Sequence, residues 1–345
     1  MSLLFCEGFD QFEVLEDLTE TYPTVPSTNV TLVTTTAFAR GRALRLPNTS
    51  PTGDFRVPIP PVPSGSVVGA GIRMRVNTLP VDSFRRGILG FLDNTTVQLR
   101  LMLSGDGALR IDTGGITNQL TGFRLGLGRW YHIEVKFICA EVGGFFEVRV
   151  DGNTVYTATG DTRNANTGTI NGAMGPQALS TGSNGEADFD DWVVWDGTGT
   201  SENDWLGDVE VQTTFATAND VVTDWTANTG THWDAINDAG EDGDATFISS
   251  TVLNSPASFV MSNLEGAPNR VLGAQITAVA RKSDSGNRSI RLGISSNGEI
   301  AEGAATSLGL SYGGTYAMFP RNPDGDVAWT PATFNAALAR VRVTV

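Results

Sequence analysis

From Arg129 to Tyr156 the chain reads RWYHIEVKFICAEVGGFFEVRVDGNTVY, and the order of polar and apolar residues there admits few folds. Tyr131, Ile133, Val135, Phe137 and Cys139 alternate with His132, Glu134 and Lys136, the period-two pattern of a strand with one face buried. Phe146, Val148 and Val150 repeat it against Glu147, Arg149 and Asp151. Gly143-Gly144 and Asp151-Gly152-Asn153 tolerate the positive φ that tight hairpin turns require. The stretch is expected to be a three-stranded antiparallel meander, with His132 opposite the apolar face and therefore at the surface.

The rest of the chain supports short strands over helices. Its 40 glycines, with abundant Thr, Ser, Asn and Asp, favour many turns. Leu3 to Cys6 reads as an opening strand, and Thr34-Thr35-Thr36 leads through a loop-rich region into Arg40 to Leu46. The prolines between Val57 and Gly65 lack ladder donors, so that segment belongs at an edge or in an extended surface stretch. Val68 to Val76, Ile88 to Leu92, Val97 to Leu103 and Ala108 to Ile111 follow as strands, the last two joined by Asp106-Gly107. Asp161 to Gly185 is nearly free of apolar residues and reads as a surface loop before Glu186 to Gly197.

Residues 198–208 have the composition of a linker, so the expected division is 1–197, a linker at 198–208, and 209–345. In the second part the expected strands are Thr246 to Thr251, Ser258 to Met261, Leu272 to Arg281, Ile290 to Ile294, Leu308 to Tyr312, Tyr316 to Phe319 and Val341 to Val345. Thr333 to Arg340 is its one helical candidate. A net charge of −15, without a basic cluster, argues against a nucleic-acid partner. No run has the length or purity of a membrane span, and MSLLFCEGFD lacks the features of a signal peptide, so synthesis in a cytoplasm is expected. Cys6 and Cys139 lie in strand-like apolar surroundings and are expected to be free thiols.

The segments GRWYHIEVKF, FFEVRVDGNTVY and DFDDWVVWDG, with EGFD at Glu7 to Asp10, resemble the laminin-G-like, concanavalin-A-like jelly roll in the form found in tailed-bacteriophage virion proteins. The resemblance covers about the first 200 residues. It implies an all-β molecule in which two sheets pack face to face and the first strand closes near the last. More loosely, Thr229 to Asp238, Asp242 to Asp244 and Asn322 to Thr330 resemble the second antiparallel β-sandwich that follows the jelly roll in similar phage appendages.

Three constellations could carry function. Trp205, Trp225 and Trp233, with His232, are a candidate carbohydrate site, since sugar faces stack on indole; packed core tryptophans are the alternative. Asp188, Asp190 and Asp191 are a candidate structural calcium site; Asp238 to Asp244 and Asn322 to Asp326 are weaker ones. Glu186, Asp188 and Asp190 would share one side of a strand, as the carboxylates of some jelly-roll glycoside hydrolases do, although a solvated face or a local structural role is the preferred reading of them. The opposite side would then carry Ala187, Phe189, Val193 and Trp195.

The resemblance implies a non-enzymatic virion protein, made in the host cytoplasm and exposed as a spike, fibre or decoration on tail, neck or capsid. Its expected partners are other virion proteins, further copies of itself and a host-surface glycan, without membrane insertion. No cofactor beyond calcium is implied. A free lectin and a polysaccharide-cleaving hydrolase using Glu186 and Asp190 are the alternatives.

Overall fold

The computed structural model describes residues 2–22, 24–25, 30–34, 41–48, 53–81, 85–116, 119–179 and 184–345. Thr35, Thr36 and Arg40 of the loop-rich expectation, and residues 180–183 of the polar stretch, lie outside the described residues. Two compact units are present: Met1–Asp10 with Thr24–Val211, and Gln11–Pro23 with Gln212–Val345.

Unit one begins with β1 (Leu3–Glu7), β2 (Thr31–Val33), β3 (Ala43–Leu46), β4 (Gly53–Val62), β5 (Val67–Thr78) and β6 (Arg85–Asp93). It continues with β7 (Thr96–Ser104), β8 (Ala108–Thr113), β9 (Gln119–Arg124) and β10 (Trp130–Ile138). The last strands are β11 (Gly144–Val150), β12 (Asn153–Gly160), β13 (Ile170–Ala178) and β14 (Glu186–Asp196). One sheet has the order β12-β11-β10-β5-β14-β3-β2, with β1 also on β14; the other has the order β4-β13-β6-β7-β8-β9. The first strand of the unit thus lies against the last, as the resemblance implies. Strands β10, β11 and β12 are the expected meander, and Asp151 and Gly152 at its second turn have φ of 49° and 77°.

The core lies where the two sheets turn their apolar sides inward. Ile72, Met74, Ile133, Val135, Phe137, Phe146 and Phe189 of the first sheet are buried, as are Phe55, Phe91, Leu99, Leu101 and Ile111 of the second. Phe91 stacks on Phe137, and Phe5 and Phe55 meet Trp192 edge-on, so aromatic contacts supplement the burial. The proline-bearing β4 is an edge strand, as its missing donors require.

Two expectations fail here for identifiable reasons. Part of the Asp161 to Gly185 stretch is β13, an interior strand between β4 and β6. Its composition misleads because the strand packs too closely for larger side chains: a Cβ on Gly175 would lie 3.0 Å from the Trp192 ring. Residues 161–169, which precede β13, are a loop tied down by hydrogen bonds, including Thr167 and Gly168 donating to Asp93 and Asn164 donating to Gln98. In β14, a bulge between Asp190 and Val193 sets Asp191 at φ 50°. The extra residue reverses the alternation, so Trp192 and Val194 face the core, and Val193 and Trp195 join the carboxylate side instead of opposing it.

Unit two contains α1 (Leu15–Thr21), β15 (Ala216–Val222), β16 (Thr226–Ala227), β17 (Ile248–Ser249), β18 (Pro256–Met261) and β19 (Ala274–Ala280). After these come β20 (Ser289–Ser296), β21 (Glu299–Glu302), β22 (Thr306–Ser307), β23 (Gly313–Phe319), α2 (Pro331–Asn335) and β24 (Leu338–Val343). The larger sheet has the order β15-β18-β24-β20-β21 with β22 on β20; β19-β23 and β16-β17 form two smaller ones. Ala274, Ala317 and Phe319 of β19 and β23 share a core with Ile290, Leu292 and Ile294 of β20, so the two antiparallel sheets pack face to face. The chain is therefore all-β, with helix confined to short pieces.

The helical candidate Thr333 to Arg340 is corrected to α2, capped by Thr330 and started by Pro331. From Leu338 the backbone pairs with both β18 and β20, and two ladders outweigh the weak preference for continuing a helix. Leu308 to Tyr312 is a connection and not a strand, and Leu310 is exposed.

Candidate functional site

The four candidate carbohydrate residues divide between the units. Trp205 lies in unit one, half-buried, with Lys136 Nζ at 4.7 Å and the Arg149 guanidinium at 3.9 Å from its ring centroid and Trp195 edge-on. The indole is thus engaged by two cations of the sheet beneath it, a packing role. Trp225, His232 and Trp233 do come together in unit two. The His232 ring nitrogen Nε2 lies 3.0 Å from the Trp225 carbonyl, Trp225 Nε1 donates to the Ser255 carbonyl, and both indoles pack on the Ala216, Ala257 and Phe259 cluster.

The carboxylates of β14 face away from the core yet are buried, at 0% exposure for Asp188, 4% for Asp190 and 3% for Asp191. A solvated face is thus excluded for them. Arg45 holds Asp188 through two bonds, Nε to Oδ1 at 2.6 Å and Nη2 to Oδ2 at 2.9 Å. Asp190 accepts the Asp191 backbone N–H, and Asp191 pairs with Arg73 at 2.8 Å. Among the described residues, no three His, Cys, Asp or Glu side chains form a group able to hold a metal ion. In the two weaker groups, Asp238 and Asp242 receive the Thr246 hydroxyl and Asp244 pairs with Arg281, and Asn322 receives the Asp324 N–H.

The cover over this face is the segment after β14. Leu206 and Gly207 donate their backbone N–H groups to Glu134 Oε1, each at 3.1 Å, and Val211 donates to Asp191 at 2.6 Å. Arg73 reaches both Asp208 at 2.7 Å and the Val209 carbonyl, while Lys136 pairs with Asp204. Residues 204–211 therefore form a strap across β10, β5 and β14.

His132 lies beneath it, 3% exposed, correcting the surface expectation. The polar side of β10 reads as solvated until the strap is known. Burial lowers the His132 pKa to about 4, with Arg73 acting in the same direction and Asp208 and Asp151 opposing it; its Nε2 has no hydrogen-bond partner. Burial likewise raises Glu134 despite its two N–H donors, and pushes Asp191 up to about 7 against the pull of the Val211 N–H and Arg73. Cys6 and Cys139 form no disulfide, and burial pushes both thiols up to about 12.

The second sheet of unit one carries a different arrangement on its outer side. Strand register places Arg56, Met174, Gly90, Arg100 and Asp112 in one row across β4, β13, β6, β7 and β8. A neighbouring row holds Asp54, Gln177, Gly87, Met102 and Arg110. The central positions form a floor: Met174, Gln177 and Met102 are buried, and the two glycines make room, since a Cβ on Gly90 would lie 2.5 Å from the Met174 methyl and one on Gly87 2.6 Å from Gln177 Cβ. Charged side chains border this floor on both sides. Three strand spacings separate Arg56 from Arg100, roughly 14 Å between backbones.

Asp54 pairs with Arg56 at 2.5 Å, and Asp112 stands directly opposite Arg100. Burial lowers the Arg100 pKa from the ordinary arginine range, with Arg56 adding to the effect and Asp54 and Asp112 opposing it, so these groups act on one another. Guanidinium donors and carboxylate acceptors are thus held at fixed spacing on strands, an arrangement complementary to ligands rich in hydroxyl groups. The sequence signal for half of it exists. The Asp106-Gly107 hairpin sets Arg100 opposite Asp112, but nothing local brings Arg56 from β4 to the same row.

No protein-family model and no curated protein matches the chain. Among solved structures, a sialidase aligns with 56% of this chain at 15% identity and a TM-score of 0.41, the aligned part covering 18% of that sialidase. A Trypanosoma rangeli sialidase in complex with sialic acid aligns with 49% of the chain at 16% identity and a TM-score of 0.33, across 27% of its length. Cellulose induced protein Cip1 aligns with 55% of the chain and 96% of its own length, at 15% identity and a TM-score of 0.41. The chain spans less than a third of the length of the sialidases it matches, and similarity of this degree carries no assignment of activity or ligand.

Proposed function

We propose that this is a non-enzymatic, glycan-binding β-sandwich protein, exposed as a spike, fibre or decoration on a bacteriophage particle, and that the outer side of the second sheet of unit one is its glycan-binding face. The observation that carries the reading is the pair of cross-strand rows there, with Asp54, Arg56, Arg100, Arg110 and Asp112 bordering a floor of Met174, Gln177 and Met102. Arg–carboxylate sets of this kind bind vicinal hydroxyl groups through paired hydrogen bonds, and a sheet holds them without the entropic cost of ordering loops. Many copies on one particle convert a weak site into firm attachment through effective concentration.

The burial of Asp188, gripped by Arg45, and of Asp190 favours binding over hydrolysis, because a general acid and a nucleophile have to reach the scissile bond. Glycan-array binding by the intact protein is the test. Arg56→Ala and Arg100→Ala should each weaken binding at least about tenfold, the usual effect of losing a charge-assisted hydrogen bond. Binding unchanged in both variants would remove the site. Polysaccharide hydrolysis that disappears in Glu186→Gln would overturn the non-enzymatic reading, and absence of the protein from purified particles by mass spectrometry would overturn the virion placement.

A further inference from the structure

The larger sheet of unit two turns Ile290, Leu292, Ile294 and Val343 toward its core. Its opposite side is cationic, which is unexpected in a chain of net charge −15. Register places Ser258, Arg340, Gly293 and Glu302 in one row across β18, β24, β20 and β21, with Pro256, Arg342 and Arg291 in the next. Three arginines therefore share these two rows with one carboxylate.

That carboxylate is held chiefly by Arg342, with Arg291 and Arg340 also acting on it. Arg342 grips Glu302 through Nε at 2.8 Å and through Nη2, and uses its remaining Nη1 on Asn254 at 2.7 Å. Arg291 donates to the Gly303 carbonyl at 2.8 Å. Arg340 has no carboxylate of its own, and its Nε is buried without a partner. Directly opposite it, Ser258 is 0% exposed and its hydroxyl also lacks a partner. Buried donors are nearly always satisfied in folded proteins, so two adjacent orphans in one row indicate a missing acceptor. Gly293, on the other side of Arg340, lets the Glu302 and Arg340 stems pack closely over the sheet, since a Cβ there would stand 2.9 Å from the Ala301 carbonyl oxygen, 3.3 Å from Glu302 Cγ and 3.6 Å from Arg340 Cβ.

We propose that this side of the sheet is a second binding site, taking an oxyanion (a carboxylate, sulfate or phosphate group) on Arg340 and Ser258, with Arg291 and Arg342 supplying the surrounding positive field. The site is separate from the glycan-binding face of unit one and does not depend on it. Attraction across a few ångströms is little screened at physiological ionic strength, so the local charge prevails over the distant negative charge of the chain.

Calorimetric titration of the intact protein with inorganic phosphate, inorganic sulfate and glucuronate, at constant ionic strength set by chloride, tests the proposal. Saturable binding is expected from at least one of the three, and the one that binds tightest identifies the group as phosphate, sulfate or the carboxylate of an acidic sugar. Arg340→Ala should weaken it at least about tenfold, and Ser258→Ala less. Glu302→Gln should strengthen it by releasing Arg342. Arg321→Ala, at a half-buried arginine paired with Asp326 elsewhere in the unit, should leave it unchanged. Should Arg340→Ala not fold, Arg291→Ala supplies the same comparison, with weaker binding expected. Saturation by none of the three anions, or equal losses in the Arg340 or Arg291 variant and the Arg321 variant, would overturn the proposal.

Discussion

Replacing Arg45 with methionine and Asp188 with leucine, singly and together, tests whether the buried carboxylate of β14 is a structural partner of that arginine. Breaking a buried ion pair by removing one partner costs about 3–5 kcal/mol, because the other charge stays desolvated. Here the two partners are unequal: the Asp188 side chain is 0% exposed, the Arg45 side chain 26%, and Arg45 has Glu186 at 3.7 Å as an alternative. Arg45→Met should therefore lie near the upper figure, about 5 kcal/mol, and Asp188→Leu near the lower, about 3 kcal/mol. For a unit of this size these convert to decreases in Tm of roughly 10–20 °C and 6–12 °C. The double variant should recover to within about 1 kcal/mol of the native protein, since two apolar chains of similar volume need no partner. Urea and thermal unfolding followed by the fluorescence of Trp192 and Trp195, both fully buried in unit one, measure all four proteins. Equal losses in the two single variants, or a double variant as unstable as their sum, would refute the reasoning.

Two further outcomes follow from unit one. His132 has its pKa held down to about 4 when folded, against an ordinary value of 6.5, so the unfolded chain takes up its proton first and stability is lost as pH falls from about 6.5 to about 4. That loss is at most about 3 kcal/mol; Asp191 and Glu134, whose carboxyls are held up, act in the opposite sense, so the difference between native protein and His132→Gln over that pH window isolates the histidine. Gly69→Ala would set a Cβ 2.1 Å from the Trp195 indole and should cost about 1–3 kcal/mol by overpacking. Trp195→Phe in the same chain should recover part of that loss in a denaturant titration, and no recovery would count against the contact.

How far the fold can be read from the order of residues differs between elements. The meander β10-β11-β12 is legible because alternation and turn residues are local and each reports one buried face. The edge position of β4 follows from proline chemistry in the same way. Strand β13 is not legible, because Gly172 and Gly175 are there to admit Leu92 and Trp192, neighbours that are distant in sequence. The parity of β14 depends on a single bulge at Asp191, and one extra residue moves every later side chain to the other face.

The same distinction applies to the sites. Arg100 and Asp112 can be paired from one hairpin, whereas Arg56 joins them, and Arg291 joins Arg340 and Arg342, only through pairing between strands far apart in the chain. The polar side of β10 has the pattern of a solvated face, and the strap at 204–211 makes it a buried one. Local chemistry by itself determined the all-β class, the turns and which side of each well-patterned strand is apolar. Only the tertiary structure decided which polar sides meet water and which arginines share a row, because those depend on contacts between segments that no local pattern encodes.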